Sequence, residues 1–444
     1  MRPLLLMLAG LIVSVRRAEA QTPAPLRLSF AEAVRRAAGE APVVALATLR
    51  TSEAEARVRQ TRATLLPGLS VGAEWLNRSF NSKSLGITFP TIPGQPPFPE
   101  LIGPFNNYDL RFSAAQTLFD WSSVKRVRAA GARADGSRAE AGATVEVAAQ
   151  TAAVAYLRAT RAQAVVAARE ADSSIAAELV TLAEAQKAAG VSAAIDVTRA
   201  RTQLVAAEGL LVVARNERDR ARIDLARSLG LDPATSLALT DTLAATLGAA
   251  DVPAERDSAV ALALTNRPDL RAERARGAAA RQAGSAIKAE RLPRLEVAGD
   301  YGVNGLTVPG AIATRDVALM VSVPILDGFG REARVSEQDA VARESAVRER
   351  DLRDQIAADV DAGYLDLRSA QAQQAIAAER LRLAEDELAQ SRERFKAGVA
   401  GNIEVIDAQS NLIRARDSDI DARFAAASAR VTLARAAGVA RTVH

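Results

Sequence analysis

From Ser122 to about Ala188 the chain contains no proline, and after Gly142 no glycine either; from about Glu332 to Lys396 the same holds with one glycine. Pro and Gly are the residues that punctuate helices. A helix of about 65 residues would run on the order of 100 Å at 1.5 Å per residue. No compact domain houses such a rod, so it must lie in a coiled coil or a bundle of matching length. Leu352, Ile356, Val360, Leu367, Leu381 and Leu388 recur at three-, four- or seven-residue steps with Ala between them, an apolar seam that lets helices approach closely.

The long stretches are two copies of one plan. Pro42 and Pro67 are spaced as Pro268 and Pro293 are; "LLPGLSVGAEW" (65–75) answers "RLPRLEVAGDY" (291–301), and "LFDWSSVKRVRAA" (118–130) answers "ILDGFGREARVSE" (325–337). "GVSAAIDVTRARTQL" (190–204) answers "GVAGNIEVIDAQSNL" (398–412). The register slips once, across the Pro- and Gly-rich segment 81–107, which reads as a loop. Shorter helices are expected at about 192–230 and 402–437, and helices interrupted near Pro42 and Pro268 precede the strands. The boundaries that follow are 1–20 for a leader, 21–248 for the first repeat and 249–444 for the second.

Each repeat also carries two alternating stretches, at about 66–80 and 107–120, then 292–304 and 316–327. Leu69, Val71, Ala73 and Trp75 interleave with Ser70, Gly72 and Glu74; Tyr108, Leu110, Phe112 and Ala114 interleave with Asp109, Arg111 and Ser113. Period two signals strands with one apolar face. Alternation alone suits a half-buried soluble hairpin. However, nine of the sixteen aromatic residues lie between Trp75 and Trp121, and aromatics flanking strand ends are what a membrane interface favours.

The first residues read "MRPLLLMLAGLIVSVRRAEAQTPAP". Arg2, the apolar run Pro3 to Val15 and Ala18-Glu19-Ala20 before Gln21 fit an export signal, and the run is short for a membrane anchor. Beyond it no apolar stretch is long enough for a spanning helix, so any membrane passage is by strands. Four strands cannot close a transmembrane barrel, since the smallest have about eight, and open edges in lipid are forbidden. Other copies must complete the sheet, and a trimer would supply twelve strands.

Composition removes other classes. There is no Cys, and the one His is His444, so thiolate sites, cysteine nucleophiles, most metal hydrolases and His triads are excluded. The net charge of +4 is small and the basic residues are interspersed with acids, which gives no nucleic-acid patch. No catalytic constellation, metal set or cofactor motif is found, and "DGFG" (327–330) has too little around it for a phosphate loop. Asp120 and Asp327 each follow a strand and precede a helix, where an N-cap role suffices. Gly190 and Gly398 end long helices, where a residue free to take positive φ is useful. Glu404 and Asp407 share a helix face. Acids in a first turn suit the helix dipole, and on a tunnel wall they would instead make a ring that attracts cations.

Taken together, the repeated strand entries, strand-to-helix turns and Gly-Val turns resemble the TolC-type outer membrane efflux protein family over about residues 26–438. The resemblance implies an α+β membrane protein of two tandem repeats. A long α-helical coiled-coil barrel would continue four β-strands per chain that join a trimeric 12-stranded β-barrel. It implies a homotrimer in the outer membrane, in contact with its lipid and reaching into the periplasm. There it would act as a passive exit duct coupled by a periplasmic adaptor to an inner-membrane RND or ABC transporter. Gly190, Val191, Gly398 and Val399 then fall at the adaptor-docking tips. Glu404 and Asp407 fall at the periplasmic constriction; Asp196 and Arg199 match a position that latches the closed state. The partner arginine expected near Ala400 is missing, while Phe395 keeps an aromatic ring. The competing readings are a structural or adhesive coiled-coil protein of the envelope, without a channel, and an exported enzyme, for which no nucleophile, base or metal set exists.

Overall fold

The computed structural model describes residues 25–86, 93–94, 96, 99–243 and 247–444. The expected leader and part of the 81–107 loop lie outside them. After a short strand β1 (Leu26–Leu28), the first half runs α1 (Phe30–Glu40), α2 (Pro42–Ala63), β2 (Gly68–Asn81), β3 (Leu101–Phe119), α3 (Trp121–Ala188) and α4 (Ala194–Ser228). The second half, entered through β4 (Leu237–Leu239), repeats this as α5 (Arg256–Asn266), α6 (Pro268–Ala289), β5 (Arg294–Gly305), β6 (Ile312–Ser322), α7 (Gly330–Lys396) and α8 (Asn402–Ala436).

The long rods are real. Helix α3 has 68 residues and α7 has 67, each on the order of 100 Å. Local chemistry sets the breaks between helices. Ser29 and Glu32 form a reciprocal capping box at the start of α1. Pro42 and Pro268 open α2 and α6 at their first position, where the missing N–H costs nothing.

The four long strands form one antiparallel sheet in the order β2-β3-β5-β6, so the two repeats join through β3 and β5. Three strand limits differ from expectation, one of them the start of β6 at Ile312 in place of 316. Strand β3 starts at Leu101, inside the segment read as loop. Gly103 and Pro104 fall where the register shifts between Arg78 and Phe80, and such an irregularity tolerates a residue that cannot donate. Strand β6 ends at Ser322, short of the expected 327, just before Pro324. A small parallel pair, β1 with β4, was not foreseen.

The largest core lies beside that small pair. Phe30, Tyr156, Leu157, Leu225 and Leu229 are fully buried there among Ala149, Ala152, Ala153 and Ala427. The rings of Phe30 and Tyr156 meet edge to face at 5.6 Å. The Tyr156 hydroxyl lies 3.0 Å from the Leu28 carbonyl and 2.8 Å from the Asp241 carboxylate, tying α3 to β1 and to the segment that follows β4. Tyr364, the equivalent residue of α7, donates to the Pro253 carbonyl. Small residues set the closest helix approaches. A methyl placed on Gly363 of α7 would lie 3.3 Å from the Leu433 Cα of α8.

Candidate functional site

The two Gly-Val turns form the end of the molecule far from the sheet. In each, the long helix closes in the same way. The Gly190 N–H donates to the Lys187 carbonyl (3.0 Å) and the Val191 N–H to Gln186 (2.9 Å). Gly398 donates to Phe395 (3.0 Å) and Val399 to Arg394 (3.1 Å). This is the Schellman arrangement, and both glycines have φ of 72°. Val191 and Val399 are left 66% and 69% exposed at the tip, with Ile195 and Ile403 half exposed beside them.

Two side chains bind the turns together, and the sequence did not single out either. Gln186 donates from α3 to the Phe395 carbonyl (2.9 Å), and Asn402, fully buried on α8, donates to the Asp196 carbonyl (2.7 Å). The signal was present, since both stand in or beside the repeated turn. A buried amide, however, is recognisable only once its neighbours are known.

The acidic residues sit in unlike surroundings. Glu404 is paired with Arg394 of α7 at 2.9 Å. Asp407, one turn on, is exposed and meets no base among the described residues. Asp196 accepts from Ser192 (2.9 Å) and stands 3.8 Å from Arg199. Phe395, named with the gate residues, has its ring turned into the tip. It is 3% exposed and packs with Leu179, Val197, Leu388 and Val405, so it supports the tip from within.

Further up the rod, an unexpected charged network crosses from α3 to α8. Arg169 binds Asp417 through two contacts of 2.6 Å and Asp172 at 3.0 Å. Asp172, 1% exposed, also accepts from Arg416 (2.6 Å). Removing one member would strand a buried charge, the costliest way to break such a network.

At the other end, cross-strand register sorts the sheet into two faces. Leu69 stands opposite Ala114, Val71 opposite Phe112, and Trp75 opposite Tyr108. Phe112 continues to Tyr301, and Gly299 to Val317. This apolar face is open, with Leu69, Phe112, Val317 and Leu319 all more than half exposed. On the other face Arg111 pairs with Asp109 (3.0 Å) and Asp300 and donates to Thr314 (3.2 Å). Gly302 lies opposite Arg111 and leaves room for it. An apolar outer face and a polar inner one are what a strand between lipid and a water-filled lumen requires. Among the described residues no helix is long and apolar enough to cross a membrane.

The two strand-to-helix caps differ. Asp120 is a true N-cap: it accepts from the Ser123 N–H (3.2 Å) and from the Ser122 and Ser123 hydroxyls. Burial alone would raise its pKa, but those hydrogen bonds outweigh it and hold the carboxyl below the usual range. Asp327 is not the N-cap residue of α7. That position is Phe329, in the left-handed region at φ 65°, and Asp327 reaches past it to accept from the Arg331 N–H (3.1 Å) and Nε (2.8 Å). Gly328, also at φ 65°, lets the chain fold back that far.

Comparison with known proteins agrees with this geometry. The family model described as outer membrane efflux protein matches residues 33–231 and 259–439. The chain is 27% identical over 405 residues to protein CyaE of Bordetella pertussis, covering 88% of this chain and 80% of that one. It superposes on the outer membrane protein VceC of Vibrio cholerae with a TM-score of 0.73 at 18% identity, over 92% of this chain and 96% of that one. For the CmeC outer membrane channel of Campylobacter jejuni the TM-score is 0.77 at 14% identity, over 93% and 86%.

Proposed function

The chain belongs to the outer membrane efflux protein family, and from that membership we propose that three copies assemble into one passive duct, driven from an inner-membrane pump. The protein is an outer-membrane exit channel that extends into the periplasm. The observation that carries the trimer is the four-stranded sheet with an open apolar face, a polar face and two edges, β2 and β6, that are free among the described residues. The strands alternate in direction, so β6 of one copy can pair antiparallel with β2 of the next. Two copies would give about eight strands, whose interior is filled by side chains; three leave a water-filled passage.

The tips supply the second part of the proposal. Val191, Ile195, Val399 and Ile403 make an exposed apolar end on a rod otherwise rich in charge. It suits the helical hairpin of a periplasmic adaptor, which would link the duct to an RND or ABC transporter. Asp407 and Glu404 would stand at the mouth, and Asp196 with Arg199 beside it.

Reconstitution of the mature protein in planar bilayers tests the reading. Discrete ion-conducting steps, with a mass in detergent of three chains, are expected. A rod that inserts without conductance would instead be the structural envelope protein.

A further inference from the structure

A groove of about 800 Å³ lies along α6 and α7, directly below the sheet. Its walls carry Arg281, Lys288, Arg291, Arg331 and Arg343 against only two acids, Glu332 and Asp339. Arg291 pairs with Glu332, and Lys288 reaches Asp339 only at 3.9 Å. Among the described residues Arg281 and Arg343 have no carboxylate partner. Positive charge therefore exceeds what the groove itself neutralises.

The second observation is Arg331. Its side chain is 6% exposed, held by Asp327 through Nε and by the Pro324 carbonyl through Nη2, and its Nη1 has no acceptor. An unpaired buried guanidinium nitrogen is costly unless something completes it. The third is position. Lys288 and Arg291 precede β5 by a turn or two, and Arg331 is in the first turn of α7 after β6. Beside them Ile325, Leu326 and Phe329 are 91%, 77% and 73% exposed. The headgroup layer is only about 5–8 Å deep on each side of the hydrocarbon core, and these residues stand where the strands leave it. In the first repeat Arg62 keeps the charge of Lys288, but Glu55, Leu65 and Val124 stand where Arg281, Arg291 and Arg331 do, so the basic cluster is not reproduced.

We propose that this groove binds the phosphate of an anionic phospholipid from the inner leaflet of the outer membrane. Arg331, Lys288 and Arg291 would contact the phosphate, with the acyl chains against Ile325, Leu326 and Phe329. A bound lipid would fix the α6–α7 pair to the membrane on the second repeat only. The inference rests on the outer-membrane reading above, but its test needs no conducting barrel.

The full mature protein, delipidated in detergent, would be titrated with phosphatidylglycerol, phosphatidylcholine or glycerol phosphate and read by native mass spectrometry. Phosphatidylglycerol is expected to bind at least about tenfold more tightly than phosphatidylcholine, given a few-fold gain for each basic residue near the phosphate. The exposed double variant Lys288→Gln/Arg291→Gln should lose that preference while keeping its fold by circular dichroism. Arg331→Lys, which keeps the charge but loses the fork, should bind more weakly too. Equal affinity for the two lipids, or an unchanged preference in the double variant, overturns the site. Glycerol phosphate binding as tightly as the lipid overturns the lipid assignment in favour of a soluble phosphate.

Discussion

Arg394, in the last turn of α7, is paired at 2.9 Å with Glu404, in the first turn of α8. The link spans the Gly398 turn and makes the two acids of the expected mouth unequal. Glu404 brings its own counter-charge, whereas Asp407 stands exposed without one among the described residues. In the proposed trimer Asp407 therefore dominates the local field. Asp407→Asn should weaken block by multivalent cations on the order of fivefold, the scale of about 1 kcal/mol for close charges in water. Glu404→Gln should do less, and Arg394→Gln should strengthen the block. Single-channel recordings of the three variants decide it, and equal effects of the two neutralisations would reject the ranking.

Gly190 and Gly398 share a φ of 72°, yet a methyl at Gly190 would meet nothing and one at Gly398 only Val191 Cγ1 at 3.8 Å. The cost of substitution is thus in the backbone and not in crowding. Gly398→Ala should cost about 1–2 kcal/mol in the local opening of the turn, and Gly398→Asn distinctly less. Hydrogen exchange of the Val399 amide, which donates to Arg394, reads this directly.

Gly302 presents the opposite case. A methyl there would come within 2.5 Å of the Leu110 carbonyl oxygen and 2.9 Å of the Arg111 Cα. Gly302→Ala must push β5 from β3 at the strand that joins the repeats, at a cost of about 1–3 kcal/mol. Resistance of the oligomer to dissociation by heat in SDS should fall, whereas Gly72→Ala, with open space around it, should leave it unchanged.

Much of this architecture was legible because its signals are periodic and repeated. The Pro-free stretches gave both rods to within a residue or two, and alternation gave the sheet and its apolar face. Strand β3 was read short because Gly103 and Pro104 look like loop residues until an irregular register accommodates them. The paired glycines were visible at the tips, but Phe395 faces inward and Asn402 and Gln186 are ties across helices. Such contacts depend on which helix lies alongside, and no local pattern encodes that. The Arg169–Asp172–Asp417 network escaped for the same reason, since isolated charges on an Ala-rich helix look solvated.

Tyr156→Phe should destabilise the region around the small parallel pair. The hydroxyl lies near Leu28 O and Asp241 and accepts from the Asp241 N–H at 3.3 Å. Burial and the Asp241 carboxylate push its pKa well above the phenol range, so it remains a neutral donor at any working pH. Loss of the hydroxyl is expected to cost about 1–3 kcal/mol, partly through the stranded buried acceptors. Proteolysis near residues 237–243 should quicken, and an unchanged cleavage rate would show that the hydroxyl contributes nothing.

Glu146 gives the sign of a pH dependence. It lies 6% exposed on α3 and accepts from the Ala440 N–H at 2.7 Å, with Arg441 at 3.4 Å. Burial raises its pKa above the ordinary 4.5, against the pull of Ala440 and Arg441. The folded state therefore holds this proton more tightly than the unfolded one, so the contribution of Glu146 to stability falls as pH rises from about 4.5 through its raised value. Glu146→Gln keeps an acceptor for the Ala440 N–H but cannot ionise. The other carboxylates are common to both proteins and cancel in the difference. Wild type should accordingly be more stable relative to the variant at pH 4 than at pH 7.5, read as thermal midpoints in the same detergent. A difference that does not change with pH would mean that Arg441 and the Ala440 amide fully offset the burial of the charge.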